Sequence, residues 1–245
     1  MAEMSTAAEI IAKRGDVELY VGRAPQTEKK LLVSSMLLSY MSPVFAVMFD
    51  GRFAEGQALT PASPRVVSLP EDDADSMAIV CKIMHTRTAD LSVTITPTQF
   101  ADIAMICHKY DCVDAVRAWS IIWIADLLQK PTAPDFEKML VAAYLLDLAP
   151  EFLRVSKSLI RDRCDLLSIS AMSNGEDFLP LRLLERITKE QYETQKRALV
   201  ALNPIVAKGK ITCEAYQKAI GFLSQEFRKT QIWPLQTMSV KVLQA

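Results

Sequence analysis

The chain has 245 residues, 50% of them hydrophobic, and a net charge of −1, which allows one large domain or two small ones with an ordinary core. A charge so close to zero removes any global attraction to nucleic acid or to an anionic membrane, because both need a clearly basic surface. Residues 1–130 carry 12 basic and 16 acidic side chains and 131–245 carry 16 and 13, an asymmetry that fits two segments but names no partner.

Five cysteines, an odd number without paired spacing, and the lack of a secretory leader give an expectation of free thiols in a reducing, intracellular compartment, cytoplasmic or nuclear. The longest apolar run, residues 121–125 with Leu127 and Leu128 after Asp126, is far short of the roughly 20 residues of a membrane span.

In chain order, residues 1–14 are expected to be a mobile end with some helical character. Val17, Leu19 and Val21 alternate with Glu18 and Tyr20, which is strand periodicity. A polar turn over 22–29 leads to a second strand at Leu31-Leu32-Val33, so an antiparallel pair is expected. Two short helices follow. Ser34 or Ser35 is placed to cap the first, through Met41, and Ser42 to cap the second, with Pro43 at its first position and Gly51 ending the run. Met36, Leu37, Tyr40, Met41, Val44, Phe45, Val47, Met48 and Phe49 cover most of the circumference of this pair, which predicts burial on more than one side.

Residues 56–64, rich in Pro, Ala and Ser, read as a loop, and residues 65–69 as a third strand ended by Pro70. Glu71, Asp72, Asp73 and Asp75 favour the positive end of a helix dipole, and Met77, Val80, Cys81 and Met84 give that helix its buried stripe. Thr96-Pro97-Thr98-Gln99 combines a Thr cap, a Pro at the first position and a Gln three residues after the cap, and Phe100, Ile103, Ala104 and Cys107 continue at helical spacing. A further helix opens at Asp111 or Cys112 and runs to about Gln129, with Val113, Val116, Ile121, Ile124 and Leu128 as core candidates. Pro131 and Pro134 mark the boundary between segments.

Beyond that boundary only helices are expected, at about 135–147, 150–167, 180–202 and 213–229. Residues 170–177 and Asn203-Pro204 give loop signals, and Trp233 in the 230–245 tail is expected to pack on a neighbouring surface.

Signatures of chemistry are sparse. Cys81 with His85, and Cys107-His108 with Cys112, have spacings that zinc accepts, but no C-x₂-C knuckle is present and Cys81 and Cys107 lie on apolar stripes. No phosphate loop, dinucleotide fingerprint or H-E-x-x-H helix occurs, and neither histidine neighbours a nucleophile motif. The expectation is therefore no catalytic residue, no metal, no cofactor and no enzyme.

The order strand, strand, two-helix corner, loop, strand, helix and helix pair resembles the BTB/POZ fold, an α+β fold of a small sheet flanked by helices. GDVELYVG (15–22), LLVSSMLLSYMSPVFAVMF (31–49) with FAEGQ (53–57), VVSLPEDD (66–73) and ADIAMICHKYDC (101–112) each look like the corresponding block of BTB proteins, especially the filamentous-fungal group. Ser-Pro-Val-Phe at 42–45 is the most specific piece, and IWPLQTMSV (232–240) resembles the ends of some fungal members. The resemblance implies a BTB/POZ domain over 15–130 after a mobile 1–14, a helical extension over 131–229, and a tail over 230–245.

It further implies protein–protein interaction: a homodimer formed through the first helix region, and docking of a cullin-type ubiquitin ligase or of transcriptional co-regulators. Asp16, Ser34, Ser35, Tyr40, Phe49, Met84 and Asp90 are the positions it assigns to partner contact or self-association. Many members carry a His and then a Lys or Arg after the second strand, the basic residue pairing with the Asp before the first; here Asp16 is present and Ser34-Ser35 stand in those places. Cullin-binding members often show a hydrophobic-x-Glu signature after the third helix, where residues 84–91 hold Asp90 as the only acid.

The leading expectation is thus a self-associating scaffold or adaptor without direct contact to nucleic acid or membrane. A transcriptional co-regulator acting through a DNA-binding partner is the alternative, and a small-molecule site among the later helices the weakest reading.

Overall fold

The computed structural model describes residues 7–22, 27–129, 135–162 and 178–207, and in it the sheet begins earlier than periodicity indicates. Strand β1 (Glu9–Ile10) pairs in parallel with β3 (Lys29–Val33), Glu9 opposite Leu31 and Ile10 opposite Leu32. Residues 7–14 therefore hold an edge strand and the buried Ile11 in place of an end with helical character. Two residues are too few to display alternation, and pairing with β3 overrides the helix propensity of the neighbouring alanines.

Strand β2 (Val17–Val21) runs antiparallel to β3, as expected, and parallel to β4 (Arg65–Leu69), so the order across the sheet is β1-β3-β2-β4. The register aligns Leu31, Leu19 and Val67 across three strands, and Val33 beside Val17. These side chains, with Val21 and Leu69, are buried on one face. Fully burying an aliphatic side chain is worth about 1.5–3 kcal/mol, which fixes the register, because a one-residue slip would turn the whole set to the other side. Gly22, at φ +90°, closes β2; a Cβ there would lie 2.3 Å from the carbonyl oxygen of Thr27.

Eight helices are described: α1 (Ser35–Met41), α2 (Pro43–Met48), α3 (Ala74–Met84), α4 (Pro97–Lys109), α5 (Val113–Leu127), α6 (Phe136–Leu145), α7 (Ala149–Asp162) and α8 (Leu181–Ala207). The class is α+β. Start signals work as read at α3, where the Asp73 carboxylate accepts from Ser76 N, and at α4, where Thr96 Oγ1 accepts from Gln99 N. The α3 stripe of Met77, Val80, Cys81 and Met84 and the α4 stripe of Phe100, Ile103, Ala104 and Cys107 are buried in the core, where α3 lies against β3 and α4 against α3. On α5 the buried face differs from the expected one: Ile121 is exposed, whereas Ser120 and Trp123 are buried. The indole Nε1–H of Trp123 donates to Ser92 O at 3.1 Å, so this large residue is held inside with its polar edge satisfied.

Contacts divide the chain into two compact units, Met1–Val155 and Ser156–Ala245. The first extends past the expected break at Pro131 and Pro134, residues that lie outside the described ones. Helix α6 lies against α4, with Lys138 Nζ donating to Thr98 Oγ1 at 2.8 Å. In the second unit Asn203-Pro204 falls inside α8 and not in a loop. The helix expected at 213–229, the loop at 170–177, Cys164, Cys213 and Trp233 are outside the described residues. Among those described, no helix is long and apolar enough to cross a membrane.

Candidate interaction surface

From Leu31 to Phe49 the sequence contains no charged residue, and this stretch supplies the end of β3 and the corner formed by α1 and α2. A seven-residue helix is too short to be stable alone, so the position of α1 must come from elsewhere. Two tethers provide it. Ser35 N donates to Asp16 Oδ1 at 2.8 Å and Ser35 Oγ to Asp16 Oδ2 at 2.6 Å, so both carboxylate oxygens are engaged. Ser34 N donates to His85 Nε2 at 2.9 Å, while His85 Nδ1 lies 2.7 Å from Cys81 O.

The two bonds assign the tautomer of His85: the proton sits on Nδ1 and points to the carbonyl, leaving Nε2 as acceptor. Burial lowers the pKa of this imidazole, against a smaller upward pull from the Cys81 carbonyl, which favours the neutral ring that the geometry requires. Just beyond it the chain turns through Thr86 at φ +58°, an unusual conformation for a β-branched residue, which ends α3 directly after the residue that bonds Ser34.

The expected caps are corrected at this point. Neither Ser34 nor Ser35 caps α1 with its side chain; Ser34 is the N-cap residue without such a bond, and the Ser35 hydroxyl is turned to Asp16. Two of the orphan N–H groups at this helix start, those of Ser34 and Ser35, are satisfied by an imidazole and a carboxylate from distant parts of the chain. Ser42 does cap α2, accepting from Phe45 N at 3.1 Å, and its own hydroxyl proton goes to Tyr110 O.

Tyr110 joins the inner side of the corner to the core. Its ring stacks on Phe45 at 4.5 Å between centroids, Phe45 stacks on Phe49 at 5.8 Å, and the phenol donates to Asp72 Oδ2 at 2.6 Å. Burial, helped by the bond to Asp72, pushes the phenol well above its ordinary pKa, so it remains a donor. Asp72 Oδ1 accepts from Lys109 Nζ at 2.7 Å, and Asp75 pairs with Lys29 at 2.6 Å. Of the four acids read as dipole partners, Asp73 is the cap, and two others form ion pairs.

The outer side of the corner overturns the expectation of burial on more than one side. Tyr40 is 84% exposed and Met36 73%, and the two are one turn apart on the same side of α1; Val44 and Val47 of α2 are also exposed. Of the positions expected at a partner surface, Asp16, Ser34 and Ser35 come together at the start of α1 and Tyr40 projects from its side. Phe49 and Met84 are buried in the core, which removes their side chains from any surface, and Asp90 pairs with Arg87 at 2.6 Å. The residues missed were Met36, assigned to the interior, and His85, which was weighed as a zinc ligand. Its i, i+4 spacing from Cys81 was the available signal, but the partner is the Cys81 carbonyl and not the thiol. Burial holds the Cys81 thiol protonated, and a hydrogen bond between the Cys107 and Cys112 thiols, with burial, does the same for Cys107. No family model and no curated protein matches the chain.

Proposed function

We propose that this chain is a BTB/POZ-type protein interaction module that self-associates through the outer side of α1 and α2, a non-enzymatic scaffold or adaptor. The observation that carries the reading is the pair Met36 and Tyr40, large apolar side chains left in solvent on a helix whose position is fixed by hydrogen bonds. Exposed apolar groups on a rigid, uncharged element gain most by meeting a like surface, and a two-fold contact lets one patch serve both copies. Two hairpin strands, a two-helix corner, a third strand and the helices after it follow one another in the order that the resemblance implies, which supports the family reading.

Sedimentation velocity of the full chain tests it. A dimer is expected, converted to monomer by Met36→Lys with Tyr40→Lys; a monomeric parent chain, or a dimer indifferent to both changes, would contradict the proposal. Affinity purification from the native cell then separates adaptor from co-regulator, according to whether a cullin or a chromatin factor is retained.

A further inference from the structure

Four Ser-Pro or Thr-Pro pairs occur in the sequence, and the structure gives them different fates: Ser42-Pro43, Thr60-Pro61, Ser63-Pro64 and Thr96-Pro97. Ser42 and Thr96 are helix caps. Their hydroxyls accept from Phe45 N and Gln99 N, the chain after each is helical, and Ser42 is fully buried. Neither can be laid out as an extended peptide in another enzyme's cleft without unwinding a helix start. Thr60 and Ser63 instead occupy an exposed four-residue turn, closed by Ser63 N donating to Thr60 O at 3.1 Å. Thr60 Oγ1 is drawn into that turn, accepting from Ala62 N at 3.4 Å, whereas the Ser63 hydroxyl has no partner among the described residues.

We propose that Ser63 is a phosphorylation site for a proline-directed protein kinase. Such a kinase selects Pro after the acceptor because its pocket offers nothing to bond the next N–H, and Pro alone has none to leave unpaired. Ser63 is followed by Pro64 and preceded two residues earlier by Pro61, both of which favour the extended backbone that a kinase cleft holds. The turn is tied by only two internal hydrogen bonds, so it can open locally while the core stays folded. In the transfer, the bond from Ser63 Oγ to the γ-phosphorus of ATP forms as the bond from that phosphorus to the bridging oxygen breaks. ADP leaves with the oxygen, and the hydroxyl proton passes to the kinase's carboxylate base.

The product has a defined neighbour. Arg65, exposed and without an ion pair among the described residues, begins β4, which is an edge of the sheet with Val66 exposed beside it. A phosphate adds about −1.5 to −2 charge two residues before that guanidinium, at one edge of the sheet.

The test is to treat the full chain with a purified mitogen-activated-class kinase, Mg²⁺ and ATP and to map phosphate by mass spectrometry. Phosphate on Ser63 is expected, lost in Ser63→Ala and in Pro64→Ala, retained in Thr60→Ala, with the unfolding midpoint unchanged in all three. The proposal is overturned if Ser63 stays unmodified while the kinase labels a control peptide. It is equally overturned if Pro64→Ala is labelled as well as the parent, or if phosphate appears only on Thr60, Ser42 or Thr96.

Discussion

The helix pairs α1–α2 and α3–α4 are drawn from similarly apolar sequence, and they dispose of it in opposite ways. In α3 the side chains of Met77, Val80, Cys81 and Met84 all point inward, and this buried stripe, with the Asp73 cap and the Asp75–Lys29 pair, positions the helix. In α1 only Ser35 and Leu38 are buried, and Phe45 alone in α2. The corner is placed by specific bonds: Asp16 to Ser35, His85 to Ser34, Ser42 to Tyr110 and the stacked rings of Phe45 and Tyr110. An element held this way does not need its remaining apolar side chains for its own stability, which leaves them available to a second molecule.

The sharpest way to break this contrast is to remove the largest side chain that the corner buries completely. Phe45→Ala leaves a cavity beside Tyr110 and Phe49, and a loss of about 3–5 kcal/mol is expected in urea unfolding. A loss under about 1 kcal/mol would mean that the site collapses freely and that α2 is not anchored there.

Asp16→Ala comes next. It strands Ser35 N and Ser35 Oγ, and about 1–3 kcal/mol is expected, concentrated as faster hydrogen exchange in α1 with α3 protected as before. Asp16→Asn keeps one acceptor oxygen and should recover part of the loss. Uniform loss of protection across α1 and α3 would show that the two pairs are not held independently.

These two residues also show what the sequence could and could not disclose. Strands β2, β3 and β4, helices α3 and α4 and the Ser42 and Thr96 caps are read from local rules of period and punctuation, and the structure has them where those rules put them. The inward and outward sides of α1 and α2 are not legible that way, because apolar residues all round give the period nothing to point to. What decides the orientation is Asp16, 19 residues before Ser35, and His85, 51 residues after Ser34. Pairings at such separations leave no spacing signal. Strand β1 escaped for a related reason, since its pairing partner and not its own two residues makes it a strand. On α5, Trp123 goes inside because Ser92 O is there to accept its indole N–H, a partner 31 residues away.

A smaller effect should accompany pH. Burial lowers the pKa of His85 in the folded chain below its ordinary value of 6.5, so below that value the unfolded chain binds the proton more readily. Stability is therefore expected to be independent of this group above about pH 7 and to fall as pH drops through the ordinary value. Protonated Nε2 would also face the Ser34 N–H as a second donor. His85→Gln, whose carbonyl can accept from Ser34 without titrating, should flatten this part of the profile in urea unfolding from pH 8 to 5. An unchanged slope would place the acid sensitivity elsewhere.

The smallest expected effect is the most telling for the contrast. Tyr40→Lys replaces an 84% exposed side chain near the carboxyl end of α1, where a cation is favoured by the helix dipole, so stability should move by no more than about 0.5 kcal/mol. Measured in urea at a chain concentration low enough to hold the protein monomeric, that null result separates folding from association. If Tyr40→Lys instead costs more than about 1 kcal/mol under those conditions, Tyr40 is packed in the monomer itself, and α1 spends its apolar surface inward just as α3 does.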